Sequence, residues 1–162
     1  MTGSSSMGTM NREELRRFAA RKLREGVPLV NHMQLDITDW QPGIVTVEAP
    51  LAPNLNTHGT AFGGSLYCLG SMAGWALMHL TLMDAGFLPS VWIVKGEINY
   101  RRPVKGTLRA TASLSEEARA ALVEQFRSQG KAKATITIVT QENGENCVEV
   151  NALFAAVSED PR

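Results

Sequence analysis

Apolar residues follow two rhythms along this chain, one helical and one of period two. Leu15, Phe18, Ala19 and Leu23 recur at helical spacing, and Asn11-Arg-Glu-Glu14 ahead of them has the form of a capping box. Gly26 followed by Pro28 closes that helix. Two strands are predicted next, Met33 to Trp40 and Ile44 to Ala49, with Pro42-Gly43 as the turn between them. Period-two alternation returns after residue 90. In V-W-I-V-K-G-E-I-N-Y the even positions Trp92, Val94, Gly96, Ile98 and Tyr100 make one apolar or small face, with Lys95, Glu97 and Asn99 on the other. Leu108, Ala110, Ala112 and Leu114 alternate with polar residues, as do Ala134, Ile136 and Ile138. An Asn143-Gly144 hairpin turn leads to Val148, Val150, Ala152 and Phe154. Between these strands, Ser115 to Gln129 reads as a helix with Ala118, Leu122 and Phe126 on one stripe and Gly130 as its stop.

One segment fits neither rhythm. Ser65 to Met83 holds no Asp, Glu, Lys or Arg and is long enough to span a bilayer. Gly70, Gly74, Ser65, Ser71, Thr81 and His79 dilute it, and no cluster of basic residues flanks it. A helix apolar all round is one wrapped by protein. Each late strand has one apolar face that needs a cover, and this helix is the only one available. Gly70, Ala73, Gly74 and Ala76 let it approach a sheet closely. The expected fold class is α+β: a curved antiparallel sheet wrapped around a long central helix. Residues 11–158 read as a single domain with an N-terminal helix, and residues 1–10 as a disordered tail.

Composition narrows the function by exclusion. Sixteen Lys and Arg balance sixteen Asp and Glu, so no global charge argues for nucleic acid or an anionic membrane. The N-terminus lacks the basic-then-apolar order of a signal peptide. Cys68 and Cys147 are isolated and the chain has only three histidines, so no structural zinc site is expected. A reduced cytoplasmic protein without metal or cofactor is the natural inference.

The chemistry gathers in N-L-N-T-H-G-T-A-F-G-G-S, residues 54–65, which runs straight into the uncharged helix. Its three glycines weaken regular structure, which leaves a plain turn or a binding site built from backbone. Asn56-Thr-His-Gly59-Thr-Ala-Phe62-Gly63-Gly64 resembles the N-x-x-G-x-x-H-G-G loop of hotdog-fold thioesterases of the phenylacetate-pathway type, matching at Asn56, Gly59, Gly63 and Gly64. Ile98-Asn-Tyr-Arg-Arg-Pro103 and Gly130-Lys131 are further echoes, and the resemblance runs from about Pro28 to Val157. The loop, followed by Gly74-Trp75, is also similar to the thioesterase family found as the C-terminal domain of YiiD-type acetyltransferases.

The resemblance implies a hydrolase for acyl-CoA or acyl-carrier-protein thioesters that works as a homodimer or homotetramer. The N–H of Gly63 would hold the oxyanion, Gly64 would pack the helix start, and Asn56 would hold the attacking water. Two positions depart from the family. Its loop histidine is Phe62 here, which would face substrate, and its helix acid is Ser71, which cannot act as a base near neutral pH. His58 is then the first candidate base and Glu97 the second, although alternation turns Glu97 away from the central helix. A Cys68 nucleophile is disfavoured, because a buried helical cysteine is inert. Arg101, Arg102, Lys105, Lys131 and Lys133 suit the phosphates of coenzyme A, and solvated strand ends account for them equally. A hotdog dehydratase or hydratase and a non-catalytic acyl-thioester-binding module are the alternatives.

Overall fold

The computed structural model describes residues 9–159, so most of the expected N-terminal tail lies outside the described residues. The first helix, α1 (Arg12–Gly26), opens on the capping box, with Asn11 and Glu14 bonded reciprocally. A second helix, α2 (Pro28–Met33), follows at once. It corrects the expectation of a strand from Met33. Proline at the first helical position is preorganised for a helix, and Gln34 at φ 55° ends it. Strand β1 (Asp36–Gln41) therefore starts late, and it pairs antiparallel with β2 (Ile44–Ala49).

After a short 3-10 turn comes the central helix α3 (Gly63–Asp84), then β3 (Pro89–Tyr100) and β4 (Leu108–Ser113). Helix α4 (Glu116–Gln129) is capped by Ser115 and stopped by Gly130 in the left-handed conformation. Leu122 and Phe126 are buried as expected, whereas Ala118 is exposed. The hairpin of β5 (Lys131–Glu142) and β6 (Glu145–Ser158) turns on Asn143 and Gly144, both at positive φ.

All six strands form one antiparallel sheet in the order β1-β2-β4-β5-β6-β3. Its inner face supplies Val47, Ala110, Ile136, Val150 and Phe154, and α3 lies across it. That helix is long and apolar enough to cross a membrane, yet most of it is buried inside the protein. Glycines set the spacing. A Cβ at Gly70 would come within 2.9 Å of Val150, and one at Gly74 would overlap the Phe154 ring. The helix can approach β6 because these two positions carry no side chain.

Strand β3 departs from the sequence pattern. Its register against β6 steps between Ile93 and Lys95, which leaves Val94 as an extra residue. Ile93 lies opposite the fully buried Phe154, while Gly96, Ile98 and Tyr100 lie opposite Ala152, Val150 and Val148. Trp92 and Val94 are thus lost from the apolar face that strict alternation gave them. They are 46% and 48% exposed on a strand that forms a free edge of the sheet.

Candidate active site at the N-terminus of the central helix

Asparagines build the loop that delivers the chain to α3. Asn54 is buried, and its amide donates to the carbonyls of Met33 at 2.9 Å and Pro50 at 2.7 Å. Asn56 closes the turn that follows. Its Oδ1 accepts the backbone N–H of His58 at 2.8 Å and of Thr60 at 3.1 Å. Its Nδ2 donates to Thr60 Oγ1 at 2.8 Å and to the Ala61 carbonyl at 3.3 Å. Gly59 sits inside this turn at φ 78°, where an L side chain is strained. Backbone bonds from Ala61 to Val104 at 2.8 Å and from Phe62 to Asn54 at 2.7 Å then fix the direction of approach. The Asn56 amide is spent within the loop, so holding a water molecule would require it to release one of these bonds.

Phe62 is the residue before the first turn of α3, and no side chain caps that helix. By contrast α1 and α4 are capped by Asn11 and Ser115. The first N–H groups of a helix have no intrahelical acceptor, and they carry the positive end of its dipole. Tyr100 reaches this spot from the end of β3 and donates its hydroxyl to the Gly63 carbonyl at 2.7 Å. A Cβ at Gly63 would stand 3.3 Å from the Tyr100 ring and hydroxyl, and one at Gly64 would stand 2.5 Å from the Phe62 ring. Neither glycine has a positive φ; Gly63 lies tight against Tyr100, whereas the Phe62 ring beside Gly64 is exposed and free to swing aside. Burial and the neighbouring Tyr67 push the Tyr100 hydroxyl above its ordinary pKa, so it stays a proton donor.

The remaining candidates are dispersed. His58 is exposed on the loop, and Ser71 is buried two turns into α3 against an apolar cavity. Glu97 is exposed on the outer face beside Lys95 at 3.9 Å, away from the helix as alternation predicts. Burial pushes the Cys68 thiol up, away from the thiolate form. Arg101 pairs with Glu149 at 3.5 Å and Arg102 with Glu145. Gly130 ends α4 with its N–H on the Phe126 carbonyl at 2.8 Å, and Lys131 opens β5 opposite Val157. Val157 in turn lies opposite Ser90, ten positions along β3 from Tyr100, which is about 33 Å of strand. Within one chain, Lys131 and Gly63 are therefore at opposite ends of β3. No group of three or more His, Cys, Asp or Glu among the described residues could hold a metal ion.

Two contributors escaped the sequence reading. Tyr100 was visible only as the aromatic of N-Y-R-R-P, and nothing local showed that it bonds Gly63. Gly96 admits the Tyr67 hydroxyl, which would overlap a Cβ there.

The fold and the glycine-opened helix define a hotdog protein of the thioesterase type. The chain belongs to the family described as "Putative thioesterase (yiiD_Cterm)", whose model matches residues 17–158. Among solved structures it is similar to a Chlorobaculum tepidum protein of unknown function, at 24% identity over 93% of this chain and 99% of that one, with a TM-score of 0.86. It is also similar to a Pseudomonas aeruginosa protein described as a probable thioesterase, at 28% identity over 88% and 95% of the two chains, with a TM-score of 0.74. The PaaI protein from the phenylacetic acid degradation operon of Escherichia coli shares the fold at 18% identity, over 90% and 94% of the two chains, with a TM-score of 0.62.

Proposed function

We propose that the protein hydrolyses acyl thioesters carried on coenzyme A or on an acyl carrier protein, with water and without a cofactor. The uncapped N-terminus of α3, opened by Gly63 and Gly64, is the observation that carries this reading. A thioester carbonyl laid against the Gly63 N–H becomes an oxyanion when water attacks its carbon. One well-aimed donor is worth about 3 kcal/mol of barrier there. Collapse of the tetrahedral intermediate returns the carbonyl and expels the thiolate, which takes up a proton. Tyr100 positions Gly63 through the bond to its carbonyl. Asn56 and Gly59 hold the loop shape, Phe62 lies against the substrate, and Ser71 orients water. His58, the histidine of this loop, is the candidate base.

The active assembly we propose is a homodimer, alone or within a homotetramer. The free edge of β3 supports it: pairing two copies antiparallel sets the Trp92 end of one beside the Tyr100 end of the other. Lys131 of one chain then comes toward Gly63 of its partner, in reach of a carrier phosphate. The two unpaired cysteines agree with a cytoplasmic protein.

Thiol release from acyl-CoA and acyl-carrier-protein panels tests the proposal. Release by the native protein, with at least about a hundredfold loss in Gly63→Val at unchanged circular dichroism, is the expected result. A second reading, a non-catalytic acyl-thioester-binding module, is favoured by Ser71 standing where the resembled relatives carry an acid. Intact acyl-CoA recovered from the protein, with no thiol released from any substrate, would establish that reading instead.

A further inference from the structure

Tyr67 is half-buried on α3, one turn beyond Gly63. A helical side chain leans back over the turn before it, so this phenol points toward the helix start. It reaches β3 at Gly96, where a Cβ would stand 2.1 Å from the hydroxyl and 3.1 Å from the ring. Gly96 lies opposite the buried Ala152, and these two small residues leave a slot for the ring tip. A glycine inside a strand weakens it and marks a close approach. Here the group that approaches is a hydroxyl. Tyr67 is also near enough to Tyr100 to raise that residue's pKa. The polar groups around Gly63 differ in what they have left to donate. Tyr100 gives its proton to the Gly63 carbonyl at 2.7 Å, and the Asn56 amide is spent on Thr60 and Ala61. The Tyr67 hydroxyl has no hydrogen-bond partner among the described residues.

We infer that Tyr67 is a further catalytic residue, whose hydroxyl donates a hydrogen bond to the thioester sulfur as the C–S bond breaks. The inference rests on the hydrolase reading above and adds the leaving-group half to it. Two atoms gain negative charge in this reaction, the carbonyl oxygen first and the sulfur second. The Gly63 N–H meets the oxygen, and the sulfur is bonded to the same carbon, in reach of a donor one turn away. Water adds its oxygen to the carbonyl carbon and gives a proton to the base. The C–S bond then breaks with its electron pair going to sulfur, and the thiolate takes up that proton. Tyr67 keeps its own proton throughout and stabilises the charge on sulfur in passing.

Two thioesters of the same acid test this, one of pantetheine and one of 4-nitrothiophenol, whose more acidic thiol departs without help. Tyr67→Phe is expected to lose about thirtyfold in kcat on the pantetheine thioester, with KM unchanged. On the nitrothiophenyl thioester it should lose less than about fivefold. Gly63→Val, which removes the approach to the oxyanion donor, lowers both alike. Gly96→Ala is an independent arm: the atom in its way is the tip of a side chain, so the ring turns aside and the selective loss recurs. Equal losses on the two thioesters, or no loss in Tyr67→Phe, overturn the role of Tyr67 and leave the hydrolase reading standing. A native protein that releases thiol from neither thioester removes the hydrolase reading and this role with it.

Discussion

His79 is a costly side chain to bury. It is fully buried on α3, and neither ring nitrogen has a hydrogen-bond partner among the described residues. Its pKa is lowered from 6.5 to about 3, chiefly by burial, with Lys22 adding to the shift and Glu159 opposing it. The folded state thus holds the ring neutral, while the unfolded chain binds a proton below about pH 6.5. Stability attributable to this residue is complete above pH 6.5. It falls by about 1.4 kcal/mol per unit as the pH drops, until the folded pKa near 3 is reached. In His79→Leu this part of the acid sensitivity should vanish, with stability at pH 7 equal or higher, as urea titrations across that range would read out. At the active site the residue scale carries a different lesson. Asn56 was legible as important because of its place in the loop motif, but the four bonds that occupy its amide were not. A side chain's partners depend on where the chain folds back, and that is not written at the position itself.

Among the elements, α3 and β6 illustrate how packing overrides local preference. Alanine is favoured over glycine inside a helix by about 1 kcal/mol. At Gly74 the sign reverses, because a Cβ there overlaps the ring of Phe154, which is itself fully buried. Gly74→Val should lower stability by at least about 2 kcal/mol, seen as a lower denaturant midpoint at unchanged slope. The apolar helix and its small residues could be read from the sequence, and so could the β5–β6 hairpin, since its turn chemistry is local. Helix α2 and the bulge in β3 could not be read in the same way. Both are interruptions of a pattern, one by a proline that opens a helix and one by a single extra residue. Period-two reasoning carries straight through such an interruption and assigns Trp92 to the wrong face.

The whole molecule ends at an exposed strand. β3 is twelve residues long, unpaired on one side, and carries exposed Trp92, Val94 and Tyr100. A long edge of this kind is a template for pairing unless it is protected. On the homodimer and hydrolase proposed above, replacing Trp92 and Val94 together by lysine should give a monomer of unchanged circular dichroism in analytical ultracentrifugation, with thiol release lost along with the dimer. A dimer that survives the double substitution would remove the β3 edge as the interface. In the proposed dimer the dispersion of the basic residues also acquires a reason, since Lys131 and Gly63 stand about 33 Å apart along β3 within one chain.

By itself the sequence determined most of the element types, though not α2, together with the buried helix at their centre and the glycine loop that opens it. Those features rest on periodicity, turn chemistry and the absence of charge, all local properties of the chain. Tertiary structure alone decided that Tyr100 bonds Gly63, that Asn56 is occupied within its loop, and that Ser71 and Trp75 line a cavity closed by β3 and α1. It also left β3 as an exposed edge. Each of these contacts joins residues distant in the chain or depends on a one-residue shift in register, and no local pattern encodes either.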